Sequence, residues 1–153
     1  MRGVYVLVIR IKQPITIQIR SKRMIEFESG IWVYVGSAMG TGSTSLENRL
    51  ERHFRKNKTI HWHIDYLLDE DSEIEKAIWA QTTSHLECDL AKSLTSYDAF
   101  KIGPKGFGSS DCKSGCVAHI FKYQNGKEVD SVLNSVFVKL GLQFQTTMDG
   151  QLS

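Results

Sequence analysis

From Val4 to Ile11 the chain is apolar at every position except Arg10, and most of these residues are β-branched. The run is far short of the roughly 18 residues that a membrane span needs. It reads as a strand covered on both faces, so the rest of the chain must supply a layer on each side of it. With 153 residues there is about one domain's worth of material. A composition of 41% hydrophobic and 24% charged residues fits an ordinary globular protein and excludes disordered and collagen-like classes. The first residues combine a basic start with an apolar run but show no small-residue cleavage site, which favours a first strand over a signal peptide. Three cysteines, Cys88, Cys112 and Cys116, are an odd number in a chain without a signal, so reduced thiols and a cytoplasmic address are expected. The net charge of +2 permits nucleic-acid binding without announcing it, and the distribution of charge matters more.

After Gln13-Pro14, Ile15, Ile17 and Ile19 alternate with polar residues, the pattern of a half-exposed strand. A turn at Ser21 to Arg23, a short strand from Met24 to Glu28 and a turn at Ser29-Gly30 lead to a second buried strand, Ile31 to Val35. The opening third is expected to be one antiparallel sheet of three or four strands. Thr44-Ser45-Leu46-Glu47 fits a capping box and predicts a helix from Ser45 to Asn57, with Leu46, Leu50 and Phe54 as its core stripe. Arg49, Arg52, His53 and Lys56 then group on the adjoining face. His61 to Leu68 is ambiguous in period; a short helix is favoured because Ile60, Ile64, Leu67 and Leu68 then share a face. A strand from Glu73 to Thr82 follows, and a capping box at Ser84 to Glu87 opens a helix to Leu94. A glycine- and serine-rich loop from Gly103 to Gly115, a strand from Cys116 to Tyr123, a turn at Asn125-Gly126 and a helix from Val129 to Leu140 complete the reading. The expected fold is α+β, a mostly antiparallel sheet of three to five strands flanked by helices. One domain is expected over residues 1–145, with a loose tail from 146 to 153.

Two short runs carry chemistry: Gly3-Val4-Tyr5 and Tyr34-Val35-Gly36. Tyrosine in a strand is commonly packing, yet glycine in a strand often marks where a ligand or another backbone comes close. The second run leads through Gly36-Ser37-Ala38-Met39-Gly40-Thr41-Gly42 to the N-terminus of the basic helix, where free N–H groups and the helix dipole favour an anion. No Lys-Ser/Thr follows the last glycine, so this is not a Walker loop. Arg49 offers a planar fork of donors matched to phosphate oxygens, and His53 lies one turn on. Cys112, Cys116 and His119 have the residue types to begin a zinc site that His61 or His63 would finish. Their loose C-x3-C-x2-H spacing, without a second C-x2-C, favours a loop with two small buried thiols.

The stretch from Tyr34-Val35-Gly36-Ser37-Ala38 through Leu46-Glu47-Asn48-Arg49 resembles the second half of the GIY-YIG nuclease motif, and Gly3-Val4-Tyr5 resembles the first. The blocks His61-Trp62-His63-Ile64-Asp65-Tyr66 and Gly106-Phe107-Gly108-Ser109-Ser110-Asp111-Cys112 resemble an uncharacterised branch of that superfamily. The interval between the tyrosine motifs is longer than usual because the strand Ile15 to Ile19 is inserted, and the basic residue usual near Ser37 is missing. The resemblance implies a GIY-YIG-like fold and a metal-dependent endonuclease that hydrolyses phosphodiester bonds in DNA. It implies that Tyr5, Tyr34 and Arg49 line the active site, that His53 stands beside the arginine, and that a glutamate from a later helix binds one Mg²⁺ (or Mn²⁺). Glu87 is the candidate for that glutamate, although as part of a capping box it would only satisfy backbone donors. Tyr5 would act as general base or place the attacking water, and Tyr34 and His53 would orient the phosphate or protonate the leaving group. Gly36, Ser37, Arg52 and Lys56 would extend contact along the nucleic-acid backbone. No membrane and no obligatory protein partner are expected. Two alternatives stand beside this: a module of the same fold that binds nucleic acid without cleaving it, and a metal hydrolase built on His61, His63, Asp65 and Glu87 that does not act on DNA.

Overall fold

The computed structural model describes residues 1–56, 58–109, 112, 115–124 and 128–152. Its strands are β1 (Gly3–Ile11), β2 (Ile15–Gln18), β3 (Met24–Phe27), β4 (Gly30–Ala38), β5 (Ser72–Gln81), β6 (Phe100–Ile102), β7 (Ile120–Tyr123) and β8 (Phe144–Thr147). Its helices are α1 (Leu46–Phe54), α2 (His63–Leu68), α3 (Glu87–Thr95) and α4 (Val129–Lys139). The fold is mixed α+β. Strand β1 is buried at every position but Arg10 and pairs antiparallel with β4 along one edge and β5 along the other. Strands β6, β7 and β8 extend these pairs into a six-stranded antiparallel sheet of order β6-β7-β4-β1-β5-β8. The expected three to five strands were too few, because the edge strands β6 and β8, of three and four residues, are too short to show a period. The opening third is also not one sheet: β2 and β3 pair only with each other, as a hairpin inserted between β1 and β4.

The pleat of β1 sorts its side chains into two layers. Val4, Val6 and Val8, with Val33 and Val35 of β4, pack beneath Leu90 and Leu94 of α3 and Leu133 and Phe137 of α4. Tyr5, Leu7, Ile9 and Ile11, with Trp32 and Tyr34, face Leu46 and Leu50 of α1, Ile64 and Leu67 of α2 and the β2–β3 hairpin. Both motif tyrosines therefore lie on the face that α1 covers.

Helix boundaries depart from the capping boxes read in the sequence. Helix α1 is capped by Ser45, whose Oγ accepts from the Asn48 N–H at 3.3 Å, one residue later than expected, and Glu47 instead pairs with the Met1 ammonium. It ends at Phe54, where Lys58 Nζ donates to the carbonyls of His53 and Arg55. Lys56 is thus outside the helix, and Asn57, the expected helix end, lies outside the described residues. Helix α3 opens at Glu87 with Leu86 at its N-cap and no side-chain cap, because Ser84 is drawn into a turn by bonds from Leu86 N–H to its carbonyl and from its own N–H to Thr82 Oγ1. The expected turn at Asn125-Gly126 also lies outside the described residues. Residues 146–152 of the tail are held in place. Strand β8 pairs with the free edge of β5, Thr147 Oγ1 accepts from Gly150 N–H and donates to the Gln151 carbonyl, and Leu152 packs against the layer under α1. An unpaired β5 edge leaves backbone groups without partners, and the tail satisfies them. Among the described residues no helix is long and apolar enough to cross a membrane.

The link between α1 and α2 is electrostatic. Asp65 is fully buried and accepts two bonds from the Arg52 guanidinium, each 3.0 Å, and one each from the His61 and Trp62 N–H groups at 2.9 Å. Burial raises the Asp65 carboxyl, but these bonds outweigh it and hold the group below the usual carboxylate range. Removing one partner of such a buried pair leaves the other uncompensated, which costs about 3–5 kcal/mol. Asp65→Ala is expected to lower unfolding free energy by about 3 kcal/mol in denaturant titrations, against about 1 kcal/mol or less for breaking the exposed Arg55–Glu51 pair.

Candidate active site

The register of β1 against β4 places Tyr5 opposite Gly36 and Leu7 opposite Tyr34. The Tyr5 ring lies across Gly36, where an added Cβ would sit 2.4 Å from Tyr5 Cζ. Gly3 is bare for another reason: a Cβ there would meet the Ala80 carbonyl oxygen at 2.2 Å. One motif glycine makes room for a tyrosine and the other for the neighbouring strand. Along β4, strand β7 pairs with Trp32 to Tyr34, after which the Val35 N–H reaches the His119 carbonyl at 2.8 Å. Beyond that point the first turn of α3 and the loop before β7 border a cavity of about 180 Å³.

The cavity is lined by Tyr5, Tyr34, Gly36, Ser37, Arg49, His53 and Glu87, together with Trp62, Gly108, Cys112 and His119. Tyr5 Oη lies 2.7 Å from His53 Nε2, and both side chains are almost wholly buried. Arg49 donates through Nη1 to the Ser37 carbonyl, while its buried Nε–H has no acceptor among the described residues. Two guanidinium groups stand over the Trp62 ring, with Arg49 Cζ 4.7 Å and Arg52 Cζ 4.5 Å from its centre. Glu87 occupies the first position of α3, so its carboxyl is not spent on a cap; one of its oxygens lies 3.8 Å from His119 Nδ1.

The remaining expected contacts fall elsewhere. Arg52 is committed to Asp65 and to the Thr59 carbonyl. Lys56 lines a separate concavity with Arg55 and Lys58. The N-terminus of α1 is not an open anion site. Leu46 N–H donates to the Met1 carbonyl, Asn48 N–H to Ser45, and the Glu47 carboxylate stands in the first turn. The His-Trp-His-Ile-Asp block is split: Asp65 serves the clamp, His63 Nδ1 accepts from the Gly108 N–H at 3.1 Å, and Trp62 alone of the block reaches the cavity. Of the four residues of the alternative metal hydrolase, Glu87 lines the cavity and Asp65 is engaged by Arg52.

A second cluster adjoins the cavity. Cys88, Cys112, Cys116 and His119 present ligand atoms that all lie within 4.8 Å of one another, a distance at which they can hold an ion. Three of its members carry a sequence signal; the fourth is Cys88 from α3 rather than His61 or His63. The position of Cys88 gives no sign, since it is 24 residues from Cys112 and in another element. Trp62 is a further cavity residue that sequence reasoning did not single out, although the aromatic block around it is visible.

Burial sets the protonation of the site. It pushes Tyr5 and Tyr34 well above the usual phenol range, with Glu87 adding to the rise and Arg49 opposing it. Glu87 rises to about 7 through burial, again against the pull of Arg49. His53 falls to about 3, because burial outweighs the nearby Asp65 carboxylate and the Lys58, Arg52 and Arg49 charges oppose protonation. His53 is therefore neutral at ordinary pH.

These observations define a class, an α+β domain with a buried tyrosine–histidine pair, an arginine and a glutamate around one cavity beside a Cys3His cluster. The chain belongs to a family described as a domain of unknown function, DUF123, whose profile matches residues 4–142. Neither the curated proteins nor the solved structures gave a match.

Neutral His53 yields a pH prediction. In the unfolded chain it binds a proton below about 6.5, whereas in the fold it does so only near 3, so acid favours the unfolded state across that window. The stability contribution is complete above pH 6.5 and is lost as pH falls towards 3, amounting to about 5 kcal/mol. Denaturant titrations from pH 7 to 4 are expected to show His53→Gln with a shallower loss of stability than the parent, by close to one proton.

Proposed function

We propose that this protein is a metal-dependent endonuclease of the GIY-YIG type, acting on phosphodiester bonds of DNA. The observation that carries the reading is the meeting of Tyr5, Tyr34, Arg49, His53 and Glu87 around one cavity, from four separated stretches of chain. The cavity is large enough for a phosphate group and a few waters, and the buried Arg49 Nε–H is a donor in want of an anion.

Each side chain has a role that its environment allows. Arg49 faces the phosphate and neutralises the charge that develops as the nucleophile adds. Tyr5 remains a phenol at working pH and is held by His53 Nε2, so it positions the attacking water rather than taking its proton. That hydrogen bond has Tyr5 donating to a neutral His53 whose proton is on Nδ1. Tyr34, also kept protonated, donates to a phosphate oxygen or the leaving oxygen. Glu87 fits a divalent ion because its carboxyl borders the cavity without a hydrogen bond among the described residues. Bound there with waters and a phosphate oxygen, Mg²⁺ (or Mn²⁺) would supply Lewis-acid stabilisation of the leaving oxygen. Trp62 adds an aromatic edge for a base or sugar. Contact with the nucleic-acid backbone falls to Gly36 and Ser37 at the cavity wall, since Arg52 is held by Asp65.

The test is cleavage of single-stranded, duplex and branched DNA with Mg²⁺ or EDTA. Metal-dependent cutting is expected, reduced about 100-fold or more in Arg49→Ala, Tyr5→Phe and Glu87→Gln. Salt-sensitive binding without cutting, weakened by Arg49→Ala, would replace the nuclease with a binding module. Absence of both would remove nucleic acid from the account.

A further inference from the structure

The loop before β7 is long for a connection inside a small domain, and it carries two of the protein's three cysteines. Within it Cys112 and Cys116 come together with His119, and the first turn of α3 brings Cys88 to the same point. We propose that these four residues hold one structural zinc ion, which staples the loop to α3 and so fixes Glu87 at the wall of the cavity.

The dimensions fit a single ion. Tetrahedral zinc with Zn–S near 2.3 Å and Zn–N near 2.0 Å separates its ligand atoms by about 3.5–3.8 Å. Cys88 Sγ lies 3.9 Å from His119 Nε2, and all four ligand atoms fall within 4.8 Å. Cys88 and Cys112 sulfurs, 2.9 Å apart, would open slightly around the ion. The donor set fits as well. Three thiolates and an imidazole are soft and borderline ligands that select zinc over Mg²⁺ or Ca²⁺, which favour oxygen. Four protein ligands leave no position for water or substrate, the mark of a structural site.

The far side of the imidazole supports the assignment. With Nε2 towards the sulfurs, His119 Nδ1 is buried, has no hydrogen-bond partner among the described residues, and lies 3.8 Å from a Glu87 carboxyl oxygen. A metal-bound histidine commonly gives its other N–H to a carboxylate, which orients the ring. Closure by less than an ångström would make that bond. Zinc, His119 and Glu87 would then form one chain from the staple to the cavity. The thiol cluster is thereby distinct from the proposed Mg²⁺ position: Glu87 belongs to the zinc only through His119.

The test reads metal content in the absence of nucleic acid, so it stands apart from the cleavage assay. The untagged protein, purified under reducing conditions from zinc-supplemented cells, is expected to contain about one zinc per chain by mass spectrometry of the elements. Mercurial modification of the thiols should release it. Cobalt replacing the zinc should show the intense visible bands of a tetrahedral site with sulfur-to-metal charge transfer, a readout on the parent chain that needs no variant to fold. Cys116→Ser should lose the metal and Cys116→His regain it, while Glu87→Gln should keep one zinc. Failure of the reduced parent chain to bind zinc or cobalt, an octahedral cobalt spectrum, or a Cys88–Cys112 disulfide as the native state would each overturn the proposal. Loss of zinc in Glu87→Gln would do so too, by making the glutamate a ligand.

Discussion

Strand β1 is hydrogen-bonded along both edges and covered on both faces, and the other elements take their positions from it. Val4, Tyr5, Val6, Leu7, Val8, Ile9 and Ile11 are each no more than 2% exposed. At about 1.5–3 kcal/mol for each buried side chain, their burial is worth roughly 10–20 kcal/mol, as much as the net stability of a typical domain. A slip of one residue would exchange the two faces and bring Tyr5 under α4 instead of α1. The register that places Tyr5 over Gly36 is therefore enforced by hydrophobic contacts with no part in chemistry.

Against that apolar frame, three of the five buried polar side-chain atoms left without hydrogen-bond partners among the described residues, Arg49 Nε, His53 Nδ1 and His119 Nδ1, belong to residues that border one cavity, while Asp130 Oδ1 and Asn134 Oδ1 lie on α4. Each such group costs about 1–3 kcal/mol, a cost the fold meets through its two cores. The Asp65–Arg52 clamp works the other way. It uses a buried charge to lock α1 against α2, which holds Trp62 across Arg49. A carboxylate that resembled a metal ligand thus sets the geometry of the arginine face.

Period and turn chemistry make much of the framework legible along the chain. The run from Val4, the alternation from Ile15 to Ile19, the apolar face of α2 and the helix from Val129 each depend on local spacing, which the sequence displays directly. The departures have two causes. Ser84 and Thr44 sit in sequence contexts that suit a capping box, but capping is a competition for backbone donors, and residues one or two positions away in the chain won at both. The edge strands β6 and β8 owe their conformation to partners far along the chain, β7 and β5, so neither announces itself locally. Arg52 and Lys56 read alike on a helical wheel and ended in different places, because one met a buried carboxylate and the other lay past the helix end.

By itself the sequence determined which residue types were present for chemistry and which face of each main element was apolar. That sufficed to put Tyr5, Tyr34, Arg49 and His53 on one side of one sheet, since strand and helix periods are properties of the local backbone. Only the tertiary structure decided which of them touch. It paired Tyr5 with His53, freed Glu87 from a cap, withdrew Arg52 into a clamp, and brought Cys88 to a thiol cluster that spacing alone left one ligand short. Such contacts join stretches far apart in the chain. They follow from how two cores close around β1 rather than from any pattern within a single element.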